Sequence, residues 1–224
     1  MSADIVDNTF VSAEDFEAVG RIHPFSSIPK DLLSETLACA RTEEYRAGDV
    51  VADETAFPRG LCFVMEGVII AENRSEKHVI ALNAFFKGDI FGAATLFREG
   101  AGKYTSLVVA KKPTRLVIVP EETVKQLILK SPDFALSYVE YLSGKIRFLN
   151  KKLTGYTSKS SVRVLLQYLE VACAESDDGT AKINISTAAG ALGMSRTTIY
   201  AAAEDLERGG FIKRDGKYYT LLRV

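Results

Sequence analysis

The 224-residue sequence predicts an α+β chain in three parts: a small all-β barrel or sandwich, a long heptad-patterned helix, and a winged helix-turn-helix. Three observations predict it. Short β-rich runs punctuated by Gly and Pro fill residues 45–119. An apolar 4-3-4-3-4-3 repeat follows. Two short helical segments around Gly193 then lead into an Asp-Gly hairpin signal.

Residues 12–40 read as short helices, with Leu32, Leu33 and Leu37 at helical spacing. Strands are expected over Asp49–Ala52, Leu61–Met65, Val68–Glu72, His78–Phe85, Ser106–Ala110 and Arg115–Val119. Gly48, Pro58, Gly60, Gly67, Gly88, Gly92, Gly100 and Gly102 mark the turns between them. Pro120-Glu121 opens a helix to about Lys130, and Ser131-Pro132-Asp133 restarts a longer one, since proline lacks only an N–H that the first turn leaves unpaired. Along it Ala135, Val139, Leu142, Ile146, Leu149, Leu153 and Tyr156 keep a heptad register. Such a seam packs either on its own barrel or on a second copy of the chain. The unbroken period favours the second copy, through Val139, Leu142, Ile146, Leu149 and Leu153. Gly144 interrupts the run beside Ser143 and leaves room for a close approach. The polar stretch Thr157–Ser161 is the clearest boundary, and Ser160 or Ser161 is placed to cap a helix over Val162–Ala174.

Composition narrows the function. Hydrophobic residues are 47% and charged residues 25%, as in a globular chain, and the net charge of −1 excludes a uniformly basic coat but not a local basic face. Cys39, Cys62 and Cys173 lie far apart, so no Cys-rich zinc or iron–sulfur site is indicated, and their sparse odd count fits a reducing compartment. With only His23 and His78, multi-histidine metal catalysis, as in a cupin-type enzyme, is not expected, and the chain is not read as an enzyme. The acidic N-terminus lacks the apolar core of a secretory signal, and no run approaches the ~20 apolar residues of a membrane span. A cytoplasmic protein without membrane partners is the expectation.

The most informative stretch runs from Ile185 to Leu206. Ser186 is read as the cap of a first helix and Ser195 of a second. Ala189 supplies the small residue at their crossing, and Gly193 the left-handed turn between them. Ala188, Leu192, Met194, Ile199 and Leu206 form the shared core. Arg196, Thr197, Thr198 and Tyr200 then lie exposed at the start of the second helix, where a helix-turn-helix reads the major groove. Arg196 suits guanine O6 and N7 or phosphate; the threonines suit thymine methyls or phosphate. Asp215-Gly216 between two β-like runs reads as a two-residue hairpin loop, a wing whose tip gathers Lys213, Arg214 and Lys217 for phosphate. Lys159 and Arg163 are further backbone-contact candidates.

The ordered set Gly48-Asp49, Gly60, Phe63-Val-Met-Glu-Gly67 and Gly88-Asp89-Ile-Phe-Gly92, then Arg163 and Gly193-Met-Ser-Arg-Thr-Thr-Ile199, resembles the Crp/Fnr family of bacterial transcription regulators over about residues 22–222. The resemblance implies a cyclic-nucleotide-binding-like β-roll or jelly-roll sensor domain (1–130), a long dimerisation helix (131–157) and a winged helix-turn-helix DNA-binding domain (158–224). It implies a homodimer on an inverted-repeat operator in double-stranded DNA, with RNA polymerase as a further candidate partner. Effector binding would bias a hinge around Thr157–Ser161. In cyclic-AMP-binding members a Glu follows the second Gly of the loop, and an Arg-Ser or Arg-Thr pair stands about ten residues on. Here Ala93 takes the first place, and Lys103 or Tyr104, beside Thr105, the second. A methyl cannot accept a ribose hydroxyl, and Lys lacks the planar fork of Arg. The expected effector is therefore a small molecule other than cyclic AMP, a hydrophobic acid or phenolic anion. Its pocket would be lined by Gly92, Ala93, Ala94, Lys103, Tyr104 and Thr105 and closed by Leu149 and Asn150. Haem held by His23 or His78, a thiol switch at Cys39 or Cys62, a ligand-independent regulator, and a ligand-binding module whose winged helix contacts protein are the alternatives.

Overall fold

A computed structural model describes residues 11–74, 79–97, 106–157, 160–176 and 178–222. The chain divides into two compact units, one ending at Tyr141 and the other beginning at Leu142.

The first unit is built on helices α1 (Ala13–Val19), α2 (Lys30–Leu37) and α3 (Glu121–Lys130), the start of α4 (Pro132–Thr157), and eight strands. The strands are β1 (Arg41–Tyr45), β2 (Val50–Ala52), β3 (Gly60–Glu66), β4 (Val68–Arg74), β5 (Val79–Phe86), β6 (Ile90–Phe91), β7 (Leu107–Ala110) and β8 (Thr114–Pro120). They form two antiparallel four-stranded sheets in the orders β1-β8-β3-β6 and β2-β7-β4-β5. Tyr45, Cys62, Val64, Leu116 and Ile118 from one sheet meet Val51, Ile69, Ala71, Val108 and Ala110 from the other in a single apolar core. This is the expected β-roll.

Strand β3 is buried on both faces. Cys62 and Val64 face the inter-sheet core, while Phe63 meets the Phe25 ring edge-on at 4.9 Å between centroids. Phe25 in turn meets Phe134 at 5.1 Å, so the start of α4 closes the helical layer. A charged clasp fastens α1 to the roll. Asp15, with a side chain only 2% exposed, accepts two bonds from Arg115 Nη1 at 2.6 and 2.7 Å and a third from the Ser12 hydroxyl at 2.8 Å. Arg115 Nη2 also donates to Glu66 at 3.1 Å. Ser12 and Asp15 complete a reciprocal capping box on the same helix.

Six expected strands are present with ends shifted by one or two residues. The sequence reading missed β1 and β6. β1, Arg-Thr-Glu-Glu-Tyr, lacks an apolar run. Its burial is possible because Glu43 accepts from Arg41 Nε at 2.7 Å and from the Tyr45 hydroxyl. β6 has only two residues, set between Gly88 and Gly92.

In α4 the helix runs through Gly144 without interruption, so the expected break is corrected; Gly144 is buried and its backbone bonds stay helical. Val139, Ile146 and Leu149 are exposed at 58%, 58% and 55%, and Leu142 is half-buried. The side chain of Leu153 lies outside the described residues.

The second unit adds α5 (Ser160–Cys173), β9 (Thr180–Lys182), α6 (Ile185–Leu192), α7 (Arg196–Arg208), β10 (Ile212–Asp215) and β11 (Tyr218–Leu221). The strands pair antiparallel in the order β10-β11-β9; β9, with a single apolar residue, was also missed from sequence. Because α5 begins at Ser160, both Ser160 and Ser161 sit inside its first turn, and neither precedes the helix as a cap. Leu165, Leu169, Ala188, Ile199, Ala203, Leu206 and Ile212 make one buried core, joined by Phe148 of α4 through a 6.2 Å ring contact with Phe211. Among the described residues, no helix is long and apolar enough to cross a membrane.

Candidate functional site

The helix-turn-helix forms as the spacing requires, with two corrections. Asn184, not Ser186, caps α6, accepting from the Ser186 and Thr187 N–H groups at 2.9 and 3.3 Å. Asn-Ile-Ser offers two polar candidates, and only the residue before the first helical turn has the extended backbone a cap needs. Ala188, not Ala189, is the fully buried small residue of the crossing; Ala189 is half-buried. Gly193 closes α6 in the left-handed conformation, φ +62°, with its N–H on Ala189. Met194 N–H also returns to Ala189 O at 3.0 Å, which tightens the turn.

Ser195 caps α7 as expected. Its hydroxyl accepts from the Thr198 N–H at 3.0 Å and pairs with the Thr198 hydroxyl at 2.8 Å. Thr198 therefore spends its hydroxyl on the cap. Arg196, Thr197, Tyr200 and Ala201 are all exposed, while Ile199, Ala202, Ala203 and Leu206 bury the opposite face. The first turn of α7 holds no acidic residue, so its positive dipole end and Arg196 act together.

The wing departs from expectation at its tip and at Arg214. Asp215 pairs with Tyr218, which leaves Gly216-Lys217, not Asp215-Gly216, as the two-residue loop. Gly216 takes φ +59° at the first loop position, where an L side chain would be strained. Lys213 and Lys217 are exposed. Arg214 is not: it shares a sheet face with buried Ile212 and Tyr219 and points back to α7. Glu207 of α7 accepts from the Arg214 N–H at 3.0 Å and from Nε at 2.9 Å, with Nη2 at 2.8 Å. Those bonds hold the Glu207 carboxyl below its ordinary value. Lys182, absent from the sequence reading, lies on the outer face with its ammonium 6.0 Å from the Tyr218 ring centre. Arg163 is exposed on α5, and Lys159 lies outside the described residues.

In the first unit, Gly92 has φ +92° and opens a single 3-10 turn, Ala93–Thr95, closed by Thr95 N–H and Oγ1 on Gly92 O at 3.0 and 2.7 Å. A Cβ at Gly92 would stand 2.5 Å from the Gly60 carbonyl oxygen. Ala93 is half-buried and Ala94 exposed. Phe97 ends the segment with φ +61°, its N–H held by the Glu121 carboxylate at 2.9 Å. Lys103, Tyr104 and Thr105 lie outside the described residues. Leu149 and Asn150 belong to the second unit, where both are exposed.

The remaining sensing candidates separate clearly. His23 is exposed, and His78 lies outside the described residues. Cys62 is fully buried, and burial, with the Glu43 charge behind it, pushes its thiol far above the ordinary value. Cys39 is exposed because it follows the last turn of α2. Among the described residues, no cluster of three or more His, Cys, Asp or Glu is placed to hold a metal ion.

Residues 42–131 match the cyclic nucleotide-binding domain family. No curated protein matches the chain by sequence. Among solved structures, a Crp/Fnr-family putative transcriptional regulator from Eubacterium rectale is 19% identical, covering 89% of this chain and 93% of its own, with a TM-score of 0.54. The Catabolite Activator Protein of Thermus thermophilus is 18% identical over 88% and 92%, at 0.51. DNR from Pseudomonas aeruginosa is 16% identical over 95% and 96%, at 0.52. Residues 42–131 of the roll are thus similar to the cyclic nucleotide-binding domain family, and the chain carries the fold seen in the Crp/Fnr-family regulator.

Proposed function

We propose that the chain is an effector-responsive, homodimeric transcription regulator that binds an inverted-repeat site in double-stranded DNA. The observation that carries this reading is the head formed by α7 and the wing. A Ser195-capped helix start presents Arg196, Thr197 and Tyr200 to solvent, and Lys213 and Lys217 stand exposed on the wing. That combination supplies one base-reading fork and flanking phosphate contacts. The exposed apolar positions Val139, Ile146 and Leu149 at heptad spacing on α4 support pairing with a second copy. The proposed effector is a small molecule other than cyclic AMP, because Ala93 after Gly92 offers a methyl where a ribose hydroxyl needs an acceptor.

The test begins with a duplex that the protein enriches from a randomised pool. Arg196→Ala lowers affinity for that duplex by about 5- to 150-fold, the loss of one bidentate base contact, and leaves the dimer mass unchanged. Leu149→Asp shifts the sedimenting species to a monomer. Undiminished specific binding by Arg196→Ala would overturn the reading head; an unchanged dimer mass for Leu149→Asp would overturn the seam.

A further inference from the structure

The basic triad at the wing, Lys213, Arg214 and Lys217, divides by geometry. Period-two alternation sends Lys213 outward and Arg214 inward, and Lys217 occupies the loop. Arg214 is the most enclosed of the three, with 24% of its side chain exposed. It makes a two-pronged contact with Glu207, one residue before the last residue of α7. The Glu207 carboxylate also accepts the Arg214 backbone N–H, so one side chain grips the strand both by its main chain and by its charge. Tyr219, 2% exposed and cross-strand from Arg214, packs beneath this contact.

We propose that Glu207 and Arg214 are positioning residues that lock the wing to the recognition helix. Arg214 contacts no phosphate; it sets the angle at which Lys213 and Lys217 meet the DNA backbone while Arg196 enters the groove. A guanidinium fork is suited to this task because its planar donors fix direction as well as distance. The proposal rests on the DNA-binding reading above.

Salt dependence separates a positioning role from a direct contact. Each phosphate contact contributes about 0.9 to the slope of log affinity against log salt. The experiment measures binding to the selected duplex across a salt series for the unsubstituted protein, Glu207→Gln, Arg214→Met and Lys217→Ala. Lys217→Ala is expected to lower the slope by about 0.9. Glu207→Gln and Arg214→Met are expected to weaken binding by about tenfold with the slope unchanged. Glu207→Gln is the decisive variant, because it removes the charge opposite Arg214 while keeping a side chain of the same shape that still accepts the backbone N–H. Tighter binding with a steeper slope for Glu207→Gln, or a slope lowered by about 0.9 for Arg214→Met, would show a phosphate contact and overturn the proposal. So would unchanged affinity in both variants. A thermal melt of each variant identifies unfolding, and Glu207→Gln decides where Arg214→Met does not fold. Failure of the unsubstituted protein to bind any duplex would instead overturn the DNA-binding reading, and the proposed role with it.

Discussion

Three glycines of the roll separate conformational strain from steric exclusion. Gly48 has φ +94° with nothing within 4 Å of an added Cβ. Gly60 has no positive φ, but a Cβ there would lie 2.3 Å from the Val119 carbonyl oxygen and 3.1 Å from Ile118 Cγ2. Gly92 combines both conditions, φ +92° and the Gly60 oxygen at 2.5 Å. A left-handed backbone costs an L residue roughly 1–2 kcal/mol. Overpacking against backbone costs about 1–3 kcal/mol. Gly48→Ala should therefore lose about 1 kcal/mol once the stiffer unfolded chain is credited. Gly60→Ala should lose about 1–3 kcal/mol, and Gly92→Ala about 2–5 kcal/mol. At about 4 °C per kcal/mol, Gly92→Ala melts roughly 10 °C below Gly48→Ala in scanning calorimetry. The double change Gly60→Ala/Gly92→Ala should deviate from additivity, since the Gly92 clash is with the Gly60 oxygen itself. Equal melting of Gly48→Ala and Gly92→Ala, within 2 °C by about the resolution of such a scan, would refute the steric half of this reasoning.

Three further outcomes are expected. Asp15→Asn should destabilise the chain by about 2–3 kcal/mol, below the range for a fully buried pair because Arg115 keeps Glu66; a denaturant midpoint equal to that of the unsubstituted protein would contradict the clasp. Burial alone would raise the Asp15 carboxyl, but the Arg115 and Ser12 hydrogen bonds and the Arg115 charge hold it below its ordinary 3.8. Its stabilisation is therefore complete above that pH and is lost as pH falls below it, so stability should drop more steeply with acid in the unsubstituted protein than in Asp15→Asn. A thiol-reactive dye on the native protein should label Cys39 fast and reach Cys62 and Cys173 only on unfolding; rapid labelling that survives Cys39→Ser would show that the roll opens or that Cys62 is accessible.

What the sequence disclosed and what it hid follow from how each residue's environment is set. The glycines and the heptad were legible because backbone geometry and helical period act locally. The wing was legible as a hairpin, but its loop was misplaced by one residue, since Asp-Gly satisfies the same turn chemistry at two registers. The inward turn of Arg214 had a cause the sequence did contain: Ile212 and Tyr219 are the apolar members of their strands, and alternation puts Arg214 on their side. Its partner Glu207 sits seven residues away on a helix, and no local pattern reports that pairing. β1 stayed hidden for the opposite reason. Its carboxylate is buried only because Arg41 and Tyr45 satisfy it within the same strand, so its polar composition reads as a loop.

The proposed effector turn shows why a recognisable motif and a recognisable ligand are separate matters. Gly92 is set by its own backbone, since the positive φ and the nearby Gly60 oxygen penalise any side chain there whatever the roll binds. The glycines of this segment therefore report on the roll. In the proposed pocket, selectivity begins at the first position whose side chain is free of that constraint, which is Ala93. Its methyl makes no hydrogen bond, so a ligand bound there must draw affinity from apolar contact and from groups elsewhere in the loop. On that proposal a cyclic nucleotide, whose ribose hydroxyl and phosphate each need a partner, gains least from such a surface, and an apolar molecule gains most. The family match to a cyclic nucleotide-binding domain and the proposed absence of cyclic AMP are thus compatible: the match extends over residues 42–131, whereas the proposal turns on a few side chains of one loop.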